Sequence, residues 1–236
     1  DKEIFMNTNN RHRLKLRLTA FTLSEVLITL AIISVIASMT IPSLLNNLQK
    51  QEQRSTFMKT FSVISQATLK IMMDNEGSMM NVCVGFPDNC MVNTYANHLK
   101  VIKKCENNKS NGNCWHNNDG SSKYLNGESV TTWIDRVGLV LNDGSFFRAY
   151  KTSNTCEDNT YSTKGDCGYI EIDINGFNKP NRLGRDIFFF HIQPDGIVPW
   201  GGSDDDSNIN GSSSSNCIST GSGRGCAAVI LQGKNY

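Results

Sequence analysis

No HExxH pair, no G-x-S-x-G elbow and no glycine-rich phosphate loop occurs in this sequence. Their absence removes the zinc-peptidase, serine-hydrolase and nucleotide-binding readings that such motifs would support. His98, His116 and His191 are scattered, and His191 follows three phenylalanines in a strand-like run, which reads as a packed side chain rather than a base. None of the eight cysteines forms the C-x-x-C spacing of a zinc or redox site. Charge bias is missing too: the formal net charge is +1, so no global field points to nucleic acid or to an acidic substrate. Lys100, Lys103, Lys104 and Lys109 make only a loose cluster, without the aromatic-studded basic face that nucleic-acid binding requires. These absences point away from an enzyme, from a cofactor and from a small-molecule substrate.

Two local absences are more informative. From Met6 to Ala20 the chain has no acid but carries Arg11, Arg13, Lys15 and Arg17, and Met6 would open a compact basic leader by itself. From Val26 to Ile41 it has no charge at all. As a helix, Phe21 to Ile41 spans roughly 30 Å, the thickness of a hydrocarbon core, and the basic flank is expected to stay in the cytoplasm.

Glu25 stands at the head of this apolar run, where a carboxylate is costly. Thr22-Leu23-Ser24-Glu25 fits the S/T-x-x-E capping box, in which an acid in the first turn also complements the helix dipole. A secretory signal peptide is a second reading, with small residues before a cut near Ser38. That would release a disulfide-rich secreted protein, but its apolar region is long and Glu25 intrudes on it.

The basic leader ending in a small residue, then Phe-Thr-Leu-Ser-Glu, an apolar helix and Pro42 at its far end together resemble the prepilin N-terminus of type IV pilins and type II secretion pseudopilins. The resemblance covers about Arg11 to Leu45. It implies that a prepilin peptidase cuts between Ala20 and Phe21 and methylates the new amine, although the family usually has Gly where Ala20 stands. It also implies that Glu25 meets the N-terminal amine of a neighbouring subunit and sets the register of helices in a filament. Further implied are sibling pilin subunits, an assembly ATPase, an inner-membrane platform protein, and a single-pass chain in a bacterial inner membrane with its C-terminal domain outside the cytoplasm.

The expected organisation is a leader over 1–20, a transmembrane half-helix over 21–43, an amphipathic half-helix over 44–76 and a globular pilin-like domain over 77–236. Pro42 predicts a kink or opening near residues 38–42. Beyond it Leu45, Leu48, Phe57, Phe61, Ile64, Thr68 and Ile71 recur largely at helical spacing, an apolar stripe for the globular domain, and Gly77 marks the stop. The fold class is α+β: this long helix on a small antiparallel sheet with disulfide-closed loops. Two apolar runs around Asn142-Asp143-Gly144 predict a hairpin. Further strands are expected at "YIEIDI", "DIFFFHI" and "IVPW", the last two joined at Gln193-Pro194-Asp195-Gly196. Residues 78–128 are rich in Asn and Ser and read as loop.

Outside the cytoplasm the cysteines are expected as disulfides. They fall into four sequential couples, Cys83 with Cys90, Cys105 with Cys114, Cys156 with Cys167 and Cys217 with Cys226. Short loops favour these neighbours, although sequence alone leaves the connectivity open. Asp173, Asn175, Asn178 and Asp186 are oxygen donors near a glycine turn and could recruit calcium, but they match only a fragment of an EF-hand loop. An Asx-rich connection is the competing account. Asp204, Asp205 and Asp206 read as solvated. A membrane-anchored binding module or tip adhesin, recognising a ligand through 78–128 or 201–225, remains the alternative to a plain filament subunit.

Overall fold

A computed structural model describes residues 21–85, 89–157, 165–202 and 216–234. The leader with Ala20, and Asp204 to Asp206, lie outside the described residues. The chain divides into two compact units, Asp1–Asn47 and Leu48–Tyr236. Helix α1 (Leu23–Met73) supplies residues to both.

In the first unit α1 is long and apolar enough to cross a membrane, with a mean hydropathy of 2.1 over its most apolar window. Four of its hydroxyls are turned back on the helix itself. Thr29 donates to the Val26 carbonyl, Ser34 to Leu30, Ser38 to Val35 and Thr40 to Ile36. That is how polar side chains are satisfied where water is absent. The opening expected near residues 38–42 does not interrupt α1, which stays helical with Pro42 inside it.

In the second unit Phe57, Thr60, Ile64, Ala67, Thr68 and Ile71 are buried at helical spacing. The expected stripe began earlier, but Leu45 and Leu48 are each 51% exposed. Burial starts at Phe57 because that is where the aromatic residues of the sheet reach the helix. The Phe57 ring lies 4.4 Å from Phe188, and Phe61 lies 5.4 Å from Phe190. The helix stops at Met73, slightly before the expected Gly77. Gly77 adopts a left-handed φ of 79° and returns its N–H to the Met72 carbonyl.

The sheet contains six strands, one more than the five runs read from the sequence. They are β1 (Val101–Cys105), β2 (Gly138–Leu141), β3 (Phe146–Lys151), β4 (Gly168–Asp173), β5 (Ile187–Gln193) and β6 (Gly196–Pro199). Each pairs antiparallel with the next, in the order of the chain. The β2–β3 hairpin turns at Gly144, whose φ of 85° is the left-handed conformation glycine supplies without strain. Asp143 stiffens the turn by accepting from the Ser145 amide and hydroxyl. At the β5–β6 turn the Pro194 carbonyl accepts from the Met79 amide and the Ser78 hydroxyl, tying the turn to the segment that follows α1.

Both faces of the sheet are covered. Phe147, Ile170, Ile172, Phe188 and Phe190 pack in the core that includes α1. Phe146, Ile187 and Phe189 face a second cluster with Trp115, Trp133 and Trp200. This explains why β5 reads as an unbroken apolar run: every residue of it is buried. Two short helices complete the unit, α2 (Cys90–Ala96) and α3 (Cys226–Leu231), together with a 3-10 turn at Met79–Asn81. The expectation of loop over 78–128 is corrected here, since that stretch holds the turn, α2 and β1. Four disulfides join the sequential couples: Cys83–Cys90, Cys105–Cys114, Cys156–Cys167 and Cys217–Cys226.

Candidate functional site

The first turn of α1 carries the polar group that sequence singles out. Thr22 precedes the helix and Glu25 is its third residue, so the two side chains face each other across one turn. The Thr22 amide donates to Glu25 Oε2 at 2.8 Å, and the Thr22 hydroxyl donates to the same oxygen at 2.9 Å. The Glu25 amide returns a bond of 3.2 Å to the Thr22 hydroxyl. The capping box is therefore complete, and its carboxylate is held at the helix end where amides are unpaired. Glu25 Oε1 has no hydrogen-bond partner among the described residues, so the capped carboxylate keeps an oxygen for a second donor. Phe21, just before this box, is 84% exposed.

The oxygen donors considered for calcium make hydrogen bonds within the chain. Asp173 Oδ2 lies 2.7 Å from His116 Nε2, and Asp173 Oδ1 accepts from the Asn175 amide. Asp186 accepts from the amides of Asn181 and Arg182 at 2.7 and 2.6 Å. Asn178 donates to the Asn175 carbonyl. Among the described residues no three His, Cys, Asp or Glu side chains gather as a metal site. The 173–186 connection thus opens on an Asx turn at Asp173 and ends on two backbone amides held by Asp186.

Sequence reasoning missed the buried polar pairs. His116 and Asp173 are 57 positions apart, and His191 Nδ1 meets Asp166 Oδ2 at 2.6 Å from 25 positions away. Nothing local announces such partners. Burial pushes the Asp173 carboxyl well up and holds the His116 imidazole down to about 4. His191 stacks on Trp200 at 5.1 Å, a packed role like the one expected for it. Lys103 and Lys104 are exposed on β1, the edge strand of the sheet, where lysines discourage pairing with another chain.

Asp186 gives a pH test of this network. Its carboxyl is pushed up to about 7, chiefly by burial and then by Asp173, against the pull of the Arg182 and Asn181 amides. An acid raised in the fold favours folding while it stays protonated, so its contribution is lost as pH rises from the ordinary carboxylate range through about 7. His116 has the opposite sign, costing stability as pH falls from 6.5 towards 4. Subtracting parent from variant isolates the acid. The stability of Asp186→Asn relative to parent should move by about 2 kcal/mol in the variant's favour from about pH 5 to about pH 8. Urea midpoints in neutral detergent measure this. A difference constant with pH would mean that Asp186 is ionised throughout.

Together these features define a class: an α+β unit closed by four disulfides, on a chain whose helix is long and apolar enough to cross a membrane and is headed by a capped carboxylate. No family model, no curated protein and no solved structure matches the chain.

Proposed function

We propose that this chain is a pilin-like subunit, a minor pilin or pseudopilin, of a type IV pilus or type II secretion-like filament. A prepilin peptidase cuts between Ala20 and Phe21 and methylates the new amine. The helix then holds the chain in a bacterial inner membrane, with the globular unit outside the cytoplasm. An assembly ATPase and a membrane platform protein extract it, and it packs against sibling pilins through its apolar helix. Its chemistry is assembly, without a catalysed reaction.

The observation that carries this reading is Glu25. The following residues, Val26 to Ile41, are without charge, and an acid there needs a cation. Cleavage before Phe21 would create an ammonium about one helical turn away. Within one chain Thr22 already occupies one oxygen of the carboxylate, which leaves the other for the amine of a neighbour. The four disulfides fit a domain that matures outside the cytoplasm.

Processing is the direct test. The mature chain should begin at Phe21 with one methyl group on its amine, read by mass spectrometry of protein from the cell envelope. Ala20→Gly should preserve cutting, and a bulky Ala20→Leu should leave most of the chain uncut. A mature N-terminus at Ser38 would overturn the proposal in favour of a secreted protein.

A further inference from the structure

A cleft of about 330 Å³ opens in the second unit beside α2 and β3. Its charged lining is of one sign. Arg136 and Lys151 contribute the only charges among the described residues that border it, and no carboxylate joins them. Asn89 and Asn107 add amides, while Met91, Val92 and Ala149 form an apolar side.

The donors in this lining exceed what the fold uses. The Arg136 guanidinium lies 4.3 Å from the Tyr150 ring centre, and no acceptor among the described residues takes its N–H groups. The Tyr150 hydroxyl donates to Glu171. Asn107 uses its oxygen to accept from the Val137 amide, which leaves its NH2 group as donor. Lys151 donates to the Met79 and Met80 carbonyls and has a third N–H to give. Burial holds the Lys151 ammonium below its ordinary range, so an arriving anion would restore what desolvation takes from it.

The geometry points to a binding site for an acidic saccharide, in which Arg136 receives a sugar carboxylate as a two-pronged partner and Lys151 supplies the second charge. A planar fork suits a carboxylate in a way a lone ammonium does not. The amides of Asn89 and Asn107 suit hydroxyl groups, and the apolar side suits a ring face. The volume lies in the range of small-ligand sites. A nucleic-acid strand fits less well, because a backbone of successive phosphates needs a track of cations and this cleft has two. The site lies wholly within the second unit, so it stands whether or not the chain enters a filament.

The test is a titration of the full chain in a neutral, sugar-free detergent, with ¹³C-methyl methionine as reporter because Met91 lines the cleft. Met91→Leu identifies its signal. Galacturonate should shift the Met91 methyl and bind at least about tenfold more tightly than either galactose or acetate, the value of one charge-assisted contact. Its affinity should fall with added salt. Arg136→Gln should weaken galacturonate about tenfold or more, Arg136→Lys should fall between, and Lys103→Gln on the exposed edge strand should change nothing. Near-ultraviolet circular dichroism reports whether each variant keeps its packing. If Arg136→Gln does not, the parent's selectivity alone decides. Galactose or acetate binding within a few-fold of galacturonate would overturn the proposal. So would a folded Arg136→Gln that binds like the parent, or a single-stranded oligonucleotide that shifts Met91 at lower concentration than galacturonate.

Discussion

Glu25→Val should insert into the membrane and be cut before Phe21 as efficiently as the parent, yet reach filaments at roughly a hundredth of the parental level or less. Insertion improves, if anything, because the variant removes a charge from an apolar segment. Assembly suffers because the neighbour's ammonium is then buried without a partner, a loss that corresponds to more than about a hundredfold in an association constant. The capping box sharpens the test. Glu25→Gln keeps the side-chain length and an oxygen for Thr22, so it preserves the cap while removing the charge. If the carboxylate acts on a neighbour, the Gln variant should assemble as poorly as the Val variant. If the cap is all that matters, it should assemble like the parent. Glu25→Asp keeps the charge but shortens the reach, and should fall between. Comparing sheared filaments with the membrane pool, in cells that hold the native assembly machinery, measures all three.

The largest loss of folding stability is expected at Arg148, in the middle of β3. Its side chain is fully buried, a rare place for a guanidinium. One of its nitrogens donates to the Ile134 and Arg136 carbonyls and to Asn111 Oδ1, at 2.8, 3.3 and 3.1 Å. Another lies 3.6 Å from the Glu171 carboxylate. The group also rests 4.9 Å from the Trp115 ring centre. It therefore fastens the irregular 111–136 segment to the outer face of the sheet. Arg148→Ala leaves those acceptors and a carboxylate without their donor and opens a cavity beside Trp115. The expected cost is about 3 to 5 kcal/mol. Arg148→Met refills the volume without the donors and should recover only part of it. Urea denaturation in neutral detergent checks both, and a change below about 1 kcal/mol for the alanine variant would mean that the segment is held by its apolar contacts alone.

What was legible in the sequence was local. The capping box lies within four consecutive residues, the β2–β3 turn is written in Asn142-Asp143-Gly144, and each disulfide closes a loop between neighbours. The elements that escaped lack local signals. In β1 three consecutive residues, Ile102 to Lys104, are exposed, and its register shifts between Val101 and Lys103, so no alternation marks it. Helix α2 starts from Asn89 in a left-handed conformation without a side-chain cap, and α3 starts from Gly225, also without one. Both are too short to show a helical period.

The candidate site divides along the same line. The Thr22–Glu25 pairing follows from spacing, whereas Arg148, the His116–Asp173 pair and the cation-lined cleft depend on residues far apart in the chain. Arg136 and Lys151 look like ordinary surface charges until the fold brings them to one wall. The early end of the buried stripe has a similar cause. Leu45 and Leu48 continue the helical spacing, but only the sheet decides where that spacing meets a partner.

The central claim is that Glu25 of one subunit meets the processed amine of another. Filaments assembled from a mixture of light and heavy-isotope chains, treated with a hydrophobic carbodiimide that joins amines to carboxylates in apolar surroundings, would report it by peptide mapping. The account predicts a Phe21-to-Glu25 amide linking light to heavy chains. A chain whose first residue is not Phe21, or a Phe21-to-Glu25 link found only within chains of one isotope, would contradict it.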